Sequence, residues 1–497
     1  EAGLDNNVSK RMERELGMLQ EDLETNNMSG KRSSKKAKEK DAKKEAEQRA
    51  NTEARAQAML DRKTDDIENF DEMGIDALLI DEAHNYKHLG FATMMTRGVK
   101  GVDPSYSKRA AALYLKCQSI YERNGHKNVI FATGTPISNT AAEIWTFMKY
   151  LMPKQTLQEN EIYYFDDFVH NFGKISEQLG FATNGKYKVE NRFAQYGNVP
   201  ELMRLWLSVA DCTLTREVGQ VNDKVPELEG GKAQDIFLQQ SPSLIDIMSA
   251  VRSQLEMFDK MSGKEKRENS YIPLTMYGIA KRAAIDPRLV DANAVDEPLS
   301  KTNRAVEEVL RSLNDSKKYK GTVAIFCDSY QNKQSGFNLF NDIKEKLTKQ
   351  GVPANQIAII RSEMSDSAKQ KIFDAVREGD IRVIMGSTQT LGTGVNIQTR
   401  LHTLIHMDAP DRPMDYTQRN GRILRQGNMH KEWGIPVRVL RFGVEDSLDA
   451  TSYQRLKTKA GFIDSIMNGK SMVENNLENR VIDDADDGIY DNMLAVI

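Results

Sequence analysis

The chain has 497 residues, of which 39% are hydrophobic and 28% charged, so it is long enough for two to four domains with sizeable cores. Its formal net charge of −3 excludes nucleic-acid binding driven by bulk charge and confines any such site to a local patch. Cys117, Cys212 and Cys327 lie far apart, which is typical of reduced thiols in a cytosolic protein. No apolar run approaches the length of a membrane span, and no signal peptide heads the sequence.

Residues 1–69 are polar and predict a charged helical arm or insertion. Met12, Leu16, Leu19 and Leu23 recur at three- and four-residue steps, as in an amphipathic helix. The next stretch, KRSSKKAKEKDAKKEAEQRA, carries charge with almost no apolar residue, which indicates a solvated helix or a disordered arm. A basic arm that touches nucleic acid is the alternative interpretation.

Residues 70–150 change to an α/β pattern. Short apolar strands in IDALLIDEAH and KNVIFATGTPISN end in polar or glycine residues, and residues 78–80 predict a buried strand. The helix between the two strands should stop at Asn124-Gly125. This order implies a parallel sheet, whose chemistry collects at the carboxyl ends of the strands.

The remainder of the chain divides into three parts. Residues 151–300 predict a mostly helical insertion without a chemical motif. Residues 301–445 return to α/β, with two helices and the strands GTVAIFCD, QIAII, IRVIMGS, LHTLIHMD and PVRVLRFG. Residues 446–497 predict a helix, in which Tyr453 and Leu456 have helical spacing, and then an acidic tail.

Asp81 and Glu82 directly follow the first predicted strand. A carboxylate at such a strand end can hold Mg²⁺, and its neighbour can activate an attacking water. Alone, the four letters D-E-A-H are also compatible with an ordinary solvated turn. Nucleotide hydrolases of this kind cradle phosphates in a G-x-x-x-x-G-K-[ST] loop, and the sequence contains no such loop.

Two further segments combine glycine with small hydroxyl side chains. ATGTPISN, at 132–139, offers threonine hydroxyls around Gly134, although it also reads as an ordinary helix-capping turn. GSTQTLGTGVNIQ, at 386–398, should expose backbone N–H groups that suit phosphate oxygens.

A fourth segment, DYTQRNGRILRQGN, is rich in arginine. Arg419, Arg422 and Arg425 recur every third residue, and helical spacing would put them roughly on one face. Guanidinium groups neutralise the charge that develops on a transferred phosphoryl group. A solvated basic helix is the alternative.

These four segments, in this order, resemble the superfamily-two helicases. The resemblance runs from about Ile75 to about Asn468 and is strongest to the Swi/Snf-type DNA translocases, which share the T-G-T-P-x-x-N and Q-R-x-G-R-x-x-R-Q-G forms. DEAHNYK, TGTPISN and GRILRQGN are still more similar to the large helicase-like proteins of phages and conjugative elements, which are often methyltransferase-linked and anti-restriction. No [DNS]-P-P-[YFW] motif occurs, so a methyltransferase would lie outside this segment.

The resemblance implies an α/β fold of two RecA-like parallel-sheet lobes, the first incomplete, with a helical insertion between them. ATP and Mg²⁺ would bind in the cleft between the lobes. Asp81 would hold Mg²⁺, Glu82 would be the general base, and Arg422 and Arg425 would be arginine fingers. Further residues implied in nucleotide binding are Gly392, Gly394 and Gln418.

The resemblance also implies a route from the nucleotide to DNA. Residues that would couple ATP hydrolysis to movement are His84, Thr133, Gly134 and Thr135. Residues that would contact the DNA backbone, without reading its sequence, are Thr133, Ser387, Thr388 and Thr390.

The missing phosphate loop leads us to expect that the chain is a C-terminal piece of a longer, cytoplasmic protein of the host cell. The N-terminal part would supply the loop and the rest of the first sheet, and ATP hydrolysis would be inactive without it. The alternative is a non-catalytic, helicase-derived protein that binds DNA, or is packaged in the virion, and protects phage or plasmid DNA. No membrane partner is expected.

Overall fold

A computed structural model of the protein describes residues 70, 73–91, 93, 95, 99–100, 102, 104–134, 142–181, 187–211, 224–269, 271–332, 334–392, 395–450, 452–454 and 456–457. The fold is mixed α/β with parallel sheets, which confirms the predicted class. The described residues form two compact units. The first comprises the described residues up to 178 together with 189–211, and the second comprises the described residues of 179–188 and those from 224 to 457. The predicted arm at 1–69 lies outside the described residues.

The elements between residues 70 and 211 are mostly short. They are β1 (Leu78–Ile80), β2 (Val99–Lys100), α1 (Lys108–Asn124), β3 (Val129–Phe131), α2 (Ala142–Leu151), α3 (Lys154–Glu159), α4 (Phe165–Phe172), β4 (Gly173–Phe181), β5 (Tyr187–Tyr196) and α5 (Val199–Leu207). β1 and β3 form a two-stranded parallel sheet, and a three-stranded sheet has the order β2-β5-β4. Helix α1 ends where the sequence predicts, because Gly125 adopts a left-handed φ of 62° and its N–H bonds to the carbonyl of Tyr121.

The β1–β3 sheet is buried on one face only. Its packed face contributes Leu78, Val129 and Phe131 to a cluster with Cys117 and Tyr121. On the other face, Leu79 is 77% exposed, and Ile130, its partner in the register, is 58% exposed. The prediction of a buried strand at residues 78–80 is therefore wrong for one face, because successive side chains of a strand alternate between the two sides.

The second unit contains the larger sheet. Its elements are β6 (Gln234–Leu238), α6 (Pro242–Lys260), α7 (Gly263–Glu268), α8 (Ile272–Ile285), α9 (Lys301–Asp315), β7 (Thr322–Phe326), α10 (Leu339–Lys349), β8 (Ile357–Ile359), α11 (Asp366–Glu378), β9 (Val383–Gly386), α12 (Thr388–Leu391), β10 (Leu401–His406), α13 (Pro413–Asn420) and β11 (Arg438–Val444).

The six strands of this sheet are all parallel, in the order β6-β11-β10-β7-β9-β8. Every residue of β7, β9 and β10 is buried, because helices cover both faces. Helices α9 and α10 contribute Val309 and Phe340 to one apolar cluster, and α11 contributes Phe373 and Val376 to the other. None of the helices in the described ranges is long and apolar enough to cross a membrane.

The predicted helical insertion at residues 151–300 is wrong in part. The range contains strands β4 and β5, and β6 joins the large sheet by pairing Ile236 with Phe442 of β11. Within this range the chain passes between the two units after residues 178, 188 and 211. Helix α11 was also not predicted. Of the C-terminal helix expected after residue 446, Tyr453 and Leu456 are buried, and the positions from 458 onward lie outside the described residues.

Candidate functional site

In the first unit, the candidate site begins with a strained turn at the carboxyl end of β1. Glu82 adopts a left-handed conformation, with φ 48° and ψ 46°, and its N–H bonds to Asp81 Oδ1 at 2.8 Å. The next N–H, of Ala83, bonds to the carbonyl of Ala132 at 3.0 Å and so continues the pairing with β3. Residues other than glycine rarely adopt this conformation, and residues that do so cluster at functional sites. Both carboxylates are exposed there.

His84 joins this turn to the threonine that follows β3. The imidazole is 5% exposed, and its Nδ1 lies 3.1 Å from Thr133 Oγ1 and 3.3 Å from Glu82 Oε2. One ring nitrogen therefore stands between the predicted base and the predicted coupling segment. Gly134 is exposed, with open space where a Cβ would stand. Thr135 lies outside the described residues.

An ion pair that the sequence analysis missed makes a second link from the same turn. Lys87 Nζ lies 2.8 Å from Glu143 Oε1, and both side chains are buried. Glu143 stands in the first turn of α2, the helix that follows the T-G-T-P segment. Burying two charges costs several kcal/mol per ion in desolvation before pairing offsets it, so this pair fixes one arrangement rather than adding much stability. Its sequence signal was a glutamate in the first turn of a mostly apolar helix.

In the second unit, the segment after β9 folds into the short helix α12. Ser387 Oγ accepts from the N–H of Thr390, and Thr390 Oγ1 accepts from the N–H of Ser387 at 3.0 Å. The N–H of Thr388 donates to Asp328 Oδ1 at 2.7 Å. The prediction that this segment exposes its N–H groups is therefore wrong for these three residues, because side chains within the unit already accept their hydrogen bonds.

The remaining predicted nucleotide ligands of this unit have distinct surroundings. Gly392 closes α12, and a Cβ there would collide with the carbonyl of Thr388. Gln418, in α13, has a buried amide oxygen that no donor reaches within the described residues. Gly394 lies outside those residues.

The three arginines do not share a helix face, so that prediction is wrong. Helix α13 ends at Asn420, and Arg422 and Arg425 stand in the turns beyond it. Both of these guanidinium groups donate to the carbonyl of Val395, Arg425 at 3.3 Å. Arg419, which lies within the helix, is completely buried.

Arg419 connects the carboxyl ends of three neighbouring strands. Its Nη2 lies 2.8 Å from Asp328 Oδ2, after β7, and 3.1 Å from Asp408 Oδ1, after β10. Its Nε donates to Thr388 Oγ1, after β9, at 2.8 Å. Burial alone would lower the pKa of the guanidinium, but the carboxylates of Asp408 and Asp328 outweigh it and the pKa is raised. Burial and the nearby Arg419 hold the pKa of His406 well below its ordinary value.

The sequence analysis missed Asp328 and Asp408, although each directly follows a predicted strand. That position was a usable signal, because adjacent parallel strands bring such residues together.

The structure thus assembles the predicted residues into two groups, one in each unit. The carboxylates of the first group are hard oxygen donors that suit Mg²⁺, which commonly takes one or two carboxylates and completes its shell with substrate phosphates and water. In the part of the chain that the structure describes, no three His, Cys, Asp or Glu side chains form a metal-binding cluster. Asp81 suits a Mg²⁺ site that takes only one or two carboxylates from the protein.

Two family models match the chain. One is described as a probable helicase domain and matches residues 5–214, and the other is described as a helicase conserved C-terminal domain and matches residues 301–427. The defense against restriction protein B of Escherichia phage P1 is 28% identical over 134 residues, which cover 26% of this chain and 6% of that protein. The chain therefore matches only a small part of the length of this relative.

Solved structures show weaker similarity. The C-terminal part of the Fun30 ATPase domain is 15% identical, with a TM-score of 0.35 over 49% of this chain and 99% of that one. S. cerevisiae Dbp5 bound to RNA and ADP BeF3 is 19% identical, with a TM-score of 0.24 over 35% of this chain and 42% of that one. Neither superposition supports an argument about this chain.

Proposed function

We propose that this chain, which matches two helicase-domain family models, is part of an ATP-driven motor of the superfamily-two type that moves along DNA. The observation that carries the proposal is the contact from Glu82 through His84 Nδ1 to Thr133 Oγ1. It joins the carboxyl ends of β1 and β3, where a water-activating carboxylate and a hydroxyl able to touch a phosphate backbone can change position together.

The proposed chemistry of ATP hydrolysis divides between the two units. Asp81 would hold Mg²⁺, which would supply charge neutralisation on the triphosphate. Glu82 accepts the proton of the attacking water, and its exposure leaves it accessible to that water. Arg422 and Arg425 neutralise charge on the transferred phosphoryl group after leaving the carbonyl of Val395.

The proposed DNA contacts are hydroxyls at strand ends. Thr133 belongs to the first unit, and Ser387 and Thr390 belong to the second. The expectation that Thr388 also contacts DNA is wrong, because its buried hydroxyl already donates to Asp328 Oδ2 and accepts from Arg419 Nε. Hydroxyl donors bind phosphate oxygens and read no base sequence, so they suit a protein that tracks along a duplex or a strand. His84 would transmit the state of Glu82 to Thr133 through their shared ring nitrogen.

We further propose that a phosphate loop outside these 497 residues completes the nucleotide site. The open apolar face of the β1–β3 sheet supports this, because Leu79 and Ile130 offer a surface on which helices could pack, as helices do on both faces of complete parallel sheets. The proposed place of action is the cytoplasm of a host cell, in keeping with the phage relative.

A salt titration of DNA binding by the intact protein, which includes the proposed phosphate loop, with and without ATP and Mg²⁺, tests the proposal. The affinity for a fluorescent 30-base-pair duplex, about three turns of DNA, should change about 5-fold or more with nucleotide, since coupled sites typically differ by that factor. The alternative function, a non-catalytic DNA-protecting protein, is favoured by the absence of a phosphate-loop sequence. It predicts a linear salt dependence that ATP leaves unchanged.

A further inference from the structure

Arg419 donates hydrogen bonds to three separate segments of the chain. Nη1 donates to the carbonyl of Asp408 at 3.0 Å and to its Oδ1 at 3.1 Å. Nη2 reaches Asp328 Oδ2, and Nε reaches Thr388 Oγ1, both at 2.8 Å. Only the planar fork of an arginine can make these bonds at once, because a lysine ammonium is a point donor on a flexible stem.

Asp328, which pairs with Arg419, also accepts two hydrogen bonds from Thr388. Its Oδ1 accepts from the N–H of Thr388 at 2.7 Å, and its Oδ2 accepts from Thr388 Oγ1 at 3.0 Å. Thr388 is therefore held at its backbone and at its hydroxyl by two residues that hold each other. An isolated guanidinium would be expensive to bury, so the network is stable only while all its members are in place.

The segments that contain Thr388 and Arg419 are also in contact at a second place. Arg422 and Arg425, which follow Arg419 in the chain, donate to the carbonyl of Val395, which follows α12. The segment 387–395 and the segment 418–425 are thus joined at two places, one buried and one nearer the surface.

We propose that Arg419 is a positioning residue that holds the DNA-contacting segment 387–390 and the arginine segment 418–425 in one arrangement, so that DNA affinity and nucleotide state change together. This inference rests on the proposed function, which supplies the roles of both segments. Arg419 itself touches neither ligand, since its side chain has no exposed surface.

The test compares Arg419→Lys with Arg438→Lys. Arg438 is a matched control at the opposite, amino end of the same sheet: it is 4% exposed, and it pairs with Glu308 at 2.9 Å and Glu229 at 3.0 Å. Both substitutions replace a buried guanidinium that bridges two carboxylates. Asp328→Asn, which keeps the size of the side chain, is a second variant in case Arg419→Lys fails to fold.

The measurement is the affinity for the labelled duplex at several salt concentrations, with and without ATP and Mg²⁺, below the melting temperature of each variant. We expect Arg419→Lys to bind DNA about tenfold more weakly, as for residues that share one hydrogen-bonded network, and to lose the ATP-dependent change. Its salt dependence should keep the wild-type slope, because a lost phosphate contact would reduce that slope and a misplaced one need not. Asp328→Asn should act in the same direction, and Arg438→Lys should bind as the wild type does.

Three outcomes would overturn the inference. They are wild-type binding and ATP response in both Arg419→Lys and Asp328→Asn, equal losses in Arg419→Lys and Arg438→Lys, and a reduced salt slope in Arg419→Lys. A wild-type protein whose DNA affinity ignores ATP would instead contradict the proposed function, on which the inference depends.

Discussion

Two residues at the proposed site hold conformations or environments that cost free energy. Glu82 has a left-handed backbone, which costs on the order of 1–3 kcal/mol for a residue other than glycine. Arg419 is a fully buried guanidinium, whose desolvation its partners must offset. Both lie at the carboxyl ends of parallel strands, where the predicted site residues also lie. Residues that cost folding free energy are expected at a functional site.

Two buried histidines near the amino end of β10 should make the free energy of unfolding depend on pH. His402 and His430 have ring centroids 5.3 Å apart and are both buried. Burial, aided by Arg438, lowers the pKa of His402 to about 4. Burial, aided by His402 and Arg400, lowers the pKa of His430 to about 3.

The free energy of unfolding should therefore fall as the pH drops below the ordinary histidine pKa of about 6.5, because the unfolded chain then binds protons that the folded chain does not bind. Between pH 7 and pH 5 the expected loss is about 2 kcal/mol for each histidine. Urea unfolding of the wild type and of a His402→Gln, His430→Gln double variant measures it. The variant should show a flatter pH dependence in this window, and equal slopes would refute the assignment.

At the scale of elements, the sequence predicted five of the six strands of the large sheet and missed the edge strand β6. The strands around Ile325, Met385 and Ile405 are continuous apolar runs between turn residues, so they stand out. Strand β6 is short and half-buried throughout, and its mixed sequence QDIFL carries no clear period. The end of α13 was missed because the arginine spacing continues past Gly421 although the helix does not.

The site was predictable to a similar degree. Asp81, Glu82, His84 and Thr133 lie in motifs with a fixed order, and three of them are in contact. The partners of Arg419 were not predictable from spacing, because Asp328 is 91 positions away in the sequence and only the sheet order brings it near. Long-range pairing of this kind depends on the fold rather than on a local pattern.

The one-sided burial of β1 gives a prediction for neighbouring residues. Ile80 is 8% exposed, so Ile80→Ala should destabilise the protein by about 2–4 kcal/mol through lost packing. Leu79→Ala, at a side chain 77% exposed, should change stability by less than about 0.5 kcal/mol. Urea unfolding followed by tryptophan fluorescence would measure both. A large loss at Leu79 would mean that its face of the sheet is covered.

At the scale of the whole molecule, the proposed motor needs contributions from two units. The carboxylates belong to the first unit and the arginines to the second, and the chain between them includes a strand of the larger sheet. The two family models match on either side of this connection.

DNA-stimulated ATP hydrolysis by the intact protein, compared with Glu82→Gln and with Glu159→Gln at an exposed carboxylate of the same unit, tests the central claim most directly. If Glu82 is the general base, Glu82→Gln should lower the turnover number by about 100-fold or more, as loss of a positioned base does, while the ATP-dependent change in DNA affinity persists. Glu159→Gln should hydrolyse ATP at the wild-type rate. Wild-type turnover in Glu82→Gln would contradict the account.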